Sequence, residues 1–100
     1  MKIFSVGTTL RITDVNELNA ITAPTLRDNV RAALKPETTA VELDLSDTRF
    51  LDSSGLGALI ALQKTMSTRQ GTVSIINPTN TVVQVLELTR LHRVLEVIHR

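Results

Sequence analysis

The residues best suited to chemistry in this sequence are two serines in the segment Asp52–Gly55, which reads Asp-Ser-Ser-Gly. Upstream, Val41, Leu43 and Leu45 alternate with acidic residues in the period-two pattern of a strand buried on one face. Downstream, apolar residues recur at about 100° per residue, as on an amphipathic helix: Leu56, Leu59, Ile60, Leu62 and Met66. The serines therefore lie at a strand-to-helix corner, where unpaired N–H groups and the helix macrodipole stabilise an anion. A serine at such a corner can carry a regulatory phosphate.

Size and composition restrict the class of protein. The 100 residues, 42% of them hydrophobic, suit one compact domain over residues 1–100. A formal charge of only +1, with acidic and basic residues interspersed, argues against nucleic acid as a partner. The longest apolar or glycine run, Gly55–Leu62, is far shorter than the ~20 residues that cross a bilayer, and no leader pattern opens the chain, so we expect a cytoplasmic protein without membrane contact. Because cysteine is absent, disulfides, thiolate zinc sites and a cysteine nucleophile are excluded.

Strand-like and helix-like periodicities alternate along the chain. The predicted strands span residues 3–6, 10–14, 40–45, 72–76 and 94–98, the first two forming a hairpin around Gly7-Thr8. The first predicted helix begins at the N-cap Thr22 and ends before Pro36, and the second runs from Ser54 to near Thr68. The third begins at the N-cap Thr79 and ends near Thr89. This order predicts an α/β domain with a mixed, mostly parallel sheet of four to five strands and helices mainly on one face. Its functional edge should combine Asp52–Gly55 with the loop 15–21.

The sequence resembles a known family along most of its length. The stretch Leu45–Gly57, LSDTRFLDSSGLG, is similar to the signature of STAS domains, particularly the bacterial anti-sigma factor antagonists. Glu17-Leu18-Asn19 with Thr22-Ala23 resembles the family's earlier loop and first helix, and Leu86–Val97 its last helix and strand. The resemblance implies a single STAS domain that is a regulatory binding protein, not an enzyme, and that needs no cofactor.

The resemblance also implies a partner-switching cycle. In such antagonists the serine after the motif aspartate, here Ser53, is phosphorylated by a serine kinase that is itself the anti-sigma factor. The unphosphorylated antagonist binds that kinase and frees the sigma factor, the phosphorylated form releases it, and a serine phosphatase resets the cycle. Ser54 is the second candidate acceptor. The alternative for this segment is a purely structural role in helix capping, because Asp and Ser are preferred N-caps.

The loop before the first helix departs from the family. Antagonists often carry aspartate where this chain has Asn19, and glycine is common at the position of Asn16. Asn19 can hydrogen-bond a hydroxyl but supplies no charge, so Glu17 is the carboxylate that remains in this loop. The alternative to a functional role is that Asn16 and Asn19 only stabilise the turn, through hydrogen bonds from their side chains to the backbone.

The predicted second helix offers a candidate docking face beside the serines. If its large apolar residues face the core, the opposite arc carries mostly small residues and one lysine: Gly57, Ala58, Ala61, Lys64, Thr65 and Thr68. Packing of these residues under a neighbouring loop is the alternative. The predicted partner-binding set is Glu17, Asn19, Asp52, Ser53, Ser54, Gly55, Gly57, Ala58, Ala61 and Lys64.

Other functions remain open alternatives. A serine hydrolase is disfavoured because His92 and His99 lie at the far end of the chain, and Glu42 and Asp44 are interpreted as a solvated strand face that binds no metal. The chain could instead be a STAS subunit of an ABC-type lipid transport complex, or a stressosome-like scaffold component that assembles into large particles. For the free antagonist we expect a monomer.

Overall fold

The computed structural model describes residues 1–100 as alternating strands and helices. The strands are β1 (Lys2–Val6), β2 (Thr9–Thr13), β3 (Glu17–Leu18), β4 (Ala40–Asp44), β5 (Phe50–Leu51), β6 (Thr72–Ile76) and β7 (Glu96–Ile98). The helices are α1 (Thr22–Ala33), α2 (Ser53–Thr68) and α3 (Asn80–Leu88), followed by a short 3₁₀ turn at Leu91–Arg93. None of the helices is both long and apolar enough to cross a bilayer.

Five strands form the main sheet, in the order β1-β2-β4-β6-β7. β1 runs antiparallel to β2 through a turn in which Gly7 has a φ of 60°, and every other neighbouring pair is parallel. The predicted mixed, mostly parallel sheet is therefore confirmed. The last strand is shorter than the predicted 94–98, because the 3₁₀ turn holds Leu95 through its N–H bond to the Leu91 carbonyl, 2.9 Å.

A single hydrophobic core lies between the sheet and the helices. Leu10, Ile12, Val41, Leu43, Val73 and Ile75 point from alternate positions of the central strands into it. The helices contribute Leu26, Val30, Leu59, Leu62, Met66, Val82 and Leu86. All three helices thus share one core with this face of the sheet, and burying those side chains is what holds the functional edge in place.

The other face of the sheet carries charged side chains on its central strands. Glu42 of β4 accepts ion pairs from Arg11 of β2, 3.3 Å, and from Arg100, 2.9 Å. Asp44 accepts a hydrogen bond from the Ser46 N–H at 2.9 Å. The two carboxylates therefore have structural partners, and Glu42 is half-buried rather than freely solvated.

Candidate functional site

The strand-to-helix corner is organised by Asp52. Its carboxylate Oδ1 accepts a hydrogen bond from the Gly55 N–H at 3.0 Å, which makes Asp52 the N-cap of α2. Its own N–H donates to the Leu18 carbonyl at 3.1 Å, so the cap is tied to the end of β3. Because Asp52 supplies the cap, neither serine is needed for it.

The two serines of the corner differ in exposure. Ser53 is the first residue of α2 and is exposed, whereas Ser54 is half-buried. The first helical hydrogen bond runs from the Leu56 N–H to the Asp52 carbonyl, so the N–H groups of Ser53 and Ser54 precede the helical ladder. An anion carried by Ser53 would lie at the positive end of the α2 macrodipole.

A second, two-stranded sheet that the sequence did not reveal joins the two loops of the functional edge. β3 pairs in parallel with β5, with Glu17 opposite Phe50 and Leu18 opposite Leu51. This pairing places Glu17 and the following loop beside the Ser53 corner. Two residues per strand are too few for a period-two pattern, so the sequence carried no usable signal for this sheet.

Asn19 is engaged in local structure. Its side-chain Oδ1 accepts from the N–H groups of Ile21, 2.9 Å, and Thr22, 3.0 Å, and its carbonyl accepts from the Ala23 N–H. In return, the Asn19 N–H donates to the Thr22 hydroxyl at 2.9 Å, a reciprocal arrangement like a capping box. The prediction that Thr22 is the N-cap is therefore wrong: Thr22 is the first residue of α1, Ile21 precedes it without a side-chain cap, and the side chain that accepts from the N–H groups at the helix start is that of Asn19. Asn19 Nδ2 also donates to Glu17 Oε2 at 3.1 Å, which fixes the one carboxylate of this loop. Asn16 is exposed, and its carbonyl accepts from the Arg49 N–H at 2.9 Å.

The two glycines of the motif have opposite surroundings. A Cβ on Gly55 would come within 2.5 Å of the Leu18 carbonyl oxygen and 2.6 Å of Leu51 Cδ1, whereas a Cβ on Gly57 would meet nothing within 4 Å. Gly55 is therefore a close-packing residue of the interior rather than part of a surface. Gly57 is exposed.

The exposed face of α2 is rotated relative to the prediction. Ala58 is 0% exposed and belongs to the core, so its placement on the docking arc is wrong. Ala61 is half-buried and faces α1, while Ile60, predicted to point inward, is 37% exposed. Small residues on the inner side let α2 approach the sheet closely, and hydrophobicity alone could not assign them inward. The exposed residues at helical spacing, which we term the α2 arc, are Ser53, Gly57, Ile60 and Lys64.

Two large apolar side chains are exposed on the chain segments of the functional edge. Ile21 is 82% exposed and Phe50 is 52% exposed. Phe50 belongs to β5 and Ile21 follows β3, and neither falls on a periodic stripe of the sequence. Exposed apolar groups around small residues are typical of a surface that another protein covers.

The histidines lie elsewhere. His92 and His99 are exposed and line a groove between α3 and β7, and His92 Nδ1 lies 3.3 Å from the Leu86 carbonyl oxygen. The lining of this groove includes no residue of the Ser53 corner. The structure contains no group of three or more His, Asp or Glu side chains arranged to hold a metal ion.

The family to which this arrangement belongs follows from a comparison with known proteins. The family model described as "Mlab, STAS domain" matches residues 6–97. The chain belongs to the STAS-domain family. The anti-sigma-B factor antagonist of Listeria monocytogenes is 25% identical over 81 residues, which cover 81% of this chain and 71% of that protein.

Solved structures of the family share the fold of this STAS domain. An anti-sigma factor antagonist from Mycobacterium paratuberculosis has a TM-score of 0.82 and 22% identity, over 96% of this chain and 81% of that chain. The Bacillus cell fate determinant SpoIIAA in its phosphorylated form has a TM-score of 0.75 and 18% identity, over 99% of this chain and 89% of that chain. At these identities the likeness shows the fold, while the relatives named above are anti-sigma factor antagonists.

Proposed function

We propose that this STAS domain is an anti-sigma factor antagonist that works by partner switching, with Ser53 as the phosphate acceptor. The observation that carries the proposal is that Asp52 and Ser53 have different roles at the corner. Asp52 caps α2 and leaves Ser53 exposed at the helix start, where a negative charge is favoured. The names of the relatives support the antagonist role.

The proposed partner is an anti-sigma factor with serine kinase activity. It docks on the α2 arc and the exposed side chains of Ile21 and Phe50, and in doing so it releases its sigma factor. Phosphate on Ser53 adds about −1.5 to −2 charges and three acceptor oxygens in the middle of that surface. The domain itself acts as a regulatory binding protein in the cytoplasm, and a serine phosphatase restores the binding form.

Phosphorylation should change the docking surface and leave the fold intact. The phosphate has nearby helical N–H groups to stabilise it, and the N–H of Gly55 stays bonded to Asp52. We therefore expect amide chemical shifts to change in the first two turns of α2 and in β3, and to stay constant across β1, β2 and β4. Shift changes spread through the whole sheet would refute the local mechanism.

The decisive experiment is phosphorylation of matched serine variants. The domain, its Ser53→Ala variant and its Ser54→Ala variant are each incubated with ATP and every candidate anti-sigma kinase of the source organism. We expect label on the wild type and on Ser54→Ala but not on Ser53→Ala, with circular dichroism showing that both variants fold. Label retained on Ser53→Ala, or on no protein with any kinase, contradicts the proposal. In the second case, co-purification with an ABC-type ATPase or assembly into large particles would favour the alternative STAS roles.

A further inference from the structure

The seam between α1 and α2 carries positive charge that the fold does not use. Arg27 and Arg31 lie one turn apart on α1, Lys64 lies on α2, and all three side chains are exposed. The ion pairs of the chain engage Lys2, Arg11 and Arg100 instead. We call Arg27, Arg31 and Lys64 the basic seam.

Charge is distributed unevenly between this part of the molecule and the rest. Residues 22–38 and 53–71, which contain α1 and α2 with their following turns, hold five basic and two acidic residues. The remaining residues hold six basic and eight acidic ones. Lys64 is the only charged residue within α2. The net charge of +1 therefore conceals a positive helical surface on an otherwise acidic molecule.

A small depression lies between α1 and α2 in the seam. Its volume is about 50 Å³, and Arg27, Arg31 and Thr65 are among its lining residues. The apolar part of the lining is Val30, Leu34, Ala61 and Leu62. This space suits one short aliphatic side chain, and the exposed arginines Arg27 and Arg31 are suited to carboxylates, which a guanidinium group binds through paired hydrogen bonds.

We propose that the basic seam docks an acidic segment of a protein partner, with a short apolar side chain seated in the depression. The inference rests on the proposed function for the identity of that partner as the anti-sigma factor. Lys64 belongs to the α2 arc and directly precedes Thr65, which lines the depression, so a partner that covers the arc from Ser53 to Lys64 lies next to the depression.

Protein, rather than membrane, is the occupant that the chemistry favours. Three cations contribute only about 1 kcal/mol each to attraction by an anionic bilayer. Stable attachment would also need apolar side chains that insert, and none of the exposed large apolar residues lines the depression.

Lys64, at the far end of the α2 arc, is electrostatically separate from the phosphate site. Ser53 and Lys64 are eleven residues apart on one helix, which corresponds to about 16 Å at 1.5 Å per residue. The Debye length at physiological salt is about 8 Å, so phosphate on Ser53 leaves the potential at Lys64 largely unchanged. Lys64 therefore attracts the partner in both states, and phosphorylation acts on the contacts next to Ser53.

An acidic peptide tests the seam without the natural partner. The ¹⁵N-labelled domain is titrated at low salt with a capped peptide of four glutamates, one valine and four glutamates. We expect amide shifts in α1 and α2 around the seam, an affinity that falls as NaCl is added, and at least a tenfold loss in Arg27→Glu/Arg31→Glu. The control variant Arg90→Glu/Arg93→Glu reverses two equally exposed arginines outside the seam and should change the affinity less than twofold.

Three results would overturn the inference. The first is a set of amide shift changes spread evenly over all basic residues, and the second is an equal loss of peptide affinity in the two double variants. The third is binding of the wild type to phosphatidylglycerol vesicles, measured by sedimentation, that is stronger than its binding to the peptide and depends on Arg27 and Arg31. The spectra of both variants must first match the folded wild type. If Ser53 is phosphorylated but the two double variants bind the peptide equally, only the proposal about the seam is refuted. If the peptide binds selectively through the seam but no kinase phosphorylates Ser53, only the proposed function is refuted.

Discussion

The paired substitutions Gly55→Ala and Gly57→Ala should shift stability in opposite directions. The two glycines are two residues apart in the same helix, and alanine is a better helix former than glycine by about 1 kcal/mol. At Gly57 the added methyl group has open space around it, so we expect Gly57→Ala to stabilise the domain by about 0.5–1 kcal/mol.

At Gly55 the same methyl group meets a carbonyl oxygen of the backbone. The Cβ would lie 2.5 Å from the Leu18 oxygen, so β3 must move away from α2. Overpacking of this kind costs about 1–3 kcal/mol, which offsets or exceeds the gain in helix propensity. The net expectation is a destabilisation of up to about 2 kcal/mol, accompanied by shift changes in β3 and at the Asp52 cap.

Thermal unfolding followed by circular dichroism measures both variants against the wild type. For a domain of this size, 1 kcal/mol corresponds to about 4–8 °C in Tm, so the two variants should differ by at least that much, with Gly57→Ala the more stable. If Gly55→Ala is as stable as Gly57→Ala, the close contact between α2 and β3 is not a constraint on the fold. If both variants are destabilised equally, the assignment of Gly57 to an open surface is wrong.

Further predictions concern the caps and the docking surface. Asn19→Ala should lower the free energy of unfolding by about 1 kcal/mol in urea titrations, because the α1 cap is lost, and an unchanged value would contradict the capping role. Ser53→Glu should leave stability equal or raise it by up to about 1 kcal/mol through the helix dipole, yet weaken kinase binding at least tenfold by calorimetry. Gly57→Arg should remain folded and lose kinase binding in a pull-down, whereas normal binding would remove the α2 arc from the interface. Light scattering should find the free domain monomeric, and large particles would instead favour a scaffold role.

Much of the fold follows from the sequence because burial imposes periodicity. Strand β6 was predicted over its full observed range, and Thr79 caps α3 as expected, accepting from the Val82 N–H at 3.4 Å. These elements are long enough, or bounded clearly enough by turn and cap residues, for local chemistry to specify them. The β3–β5 pair escaped prediction because its residues are ordered by contacts between distant segments of the chain.

The exposed face of α2 was predicted less well than the strand-to-helix corner, for a physical reason. Asp52 and Ser53 are defined by their positions in the chain next to a helix start, which a motif can reveal. The orientation of α2 is defined by what it packs against, and Ala58 is buried because a small side chain there permits close packing. Ile60 is displaced to the surface as a result, and it becomes an apolar part of the α2 arc.

Under the proposed function, the capping pattern at the functional edge combines a modifiable serine with a rigid fold. At both helices that begin there, a residue other than the nearby serine or threonine accepts from the first N–H groups: Asp52, next to Ser53, at α2, and Asn19, three residues before Thr22, at α1. If Ser53 were itself the cap, phosphorylation would replace a hydroxyl that holds the helix start, and the switch would be coupled to unfolding of the first turn. Because Asp52 holds the Gly55 N–H independently, charge can be added to Ser53 at little cost in stability. In the proposed partner switch, the charge and bulk of the phosphate then oppose binding at the α2 arc without unfolding the helix start.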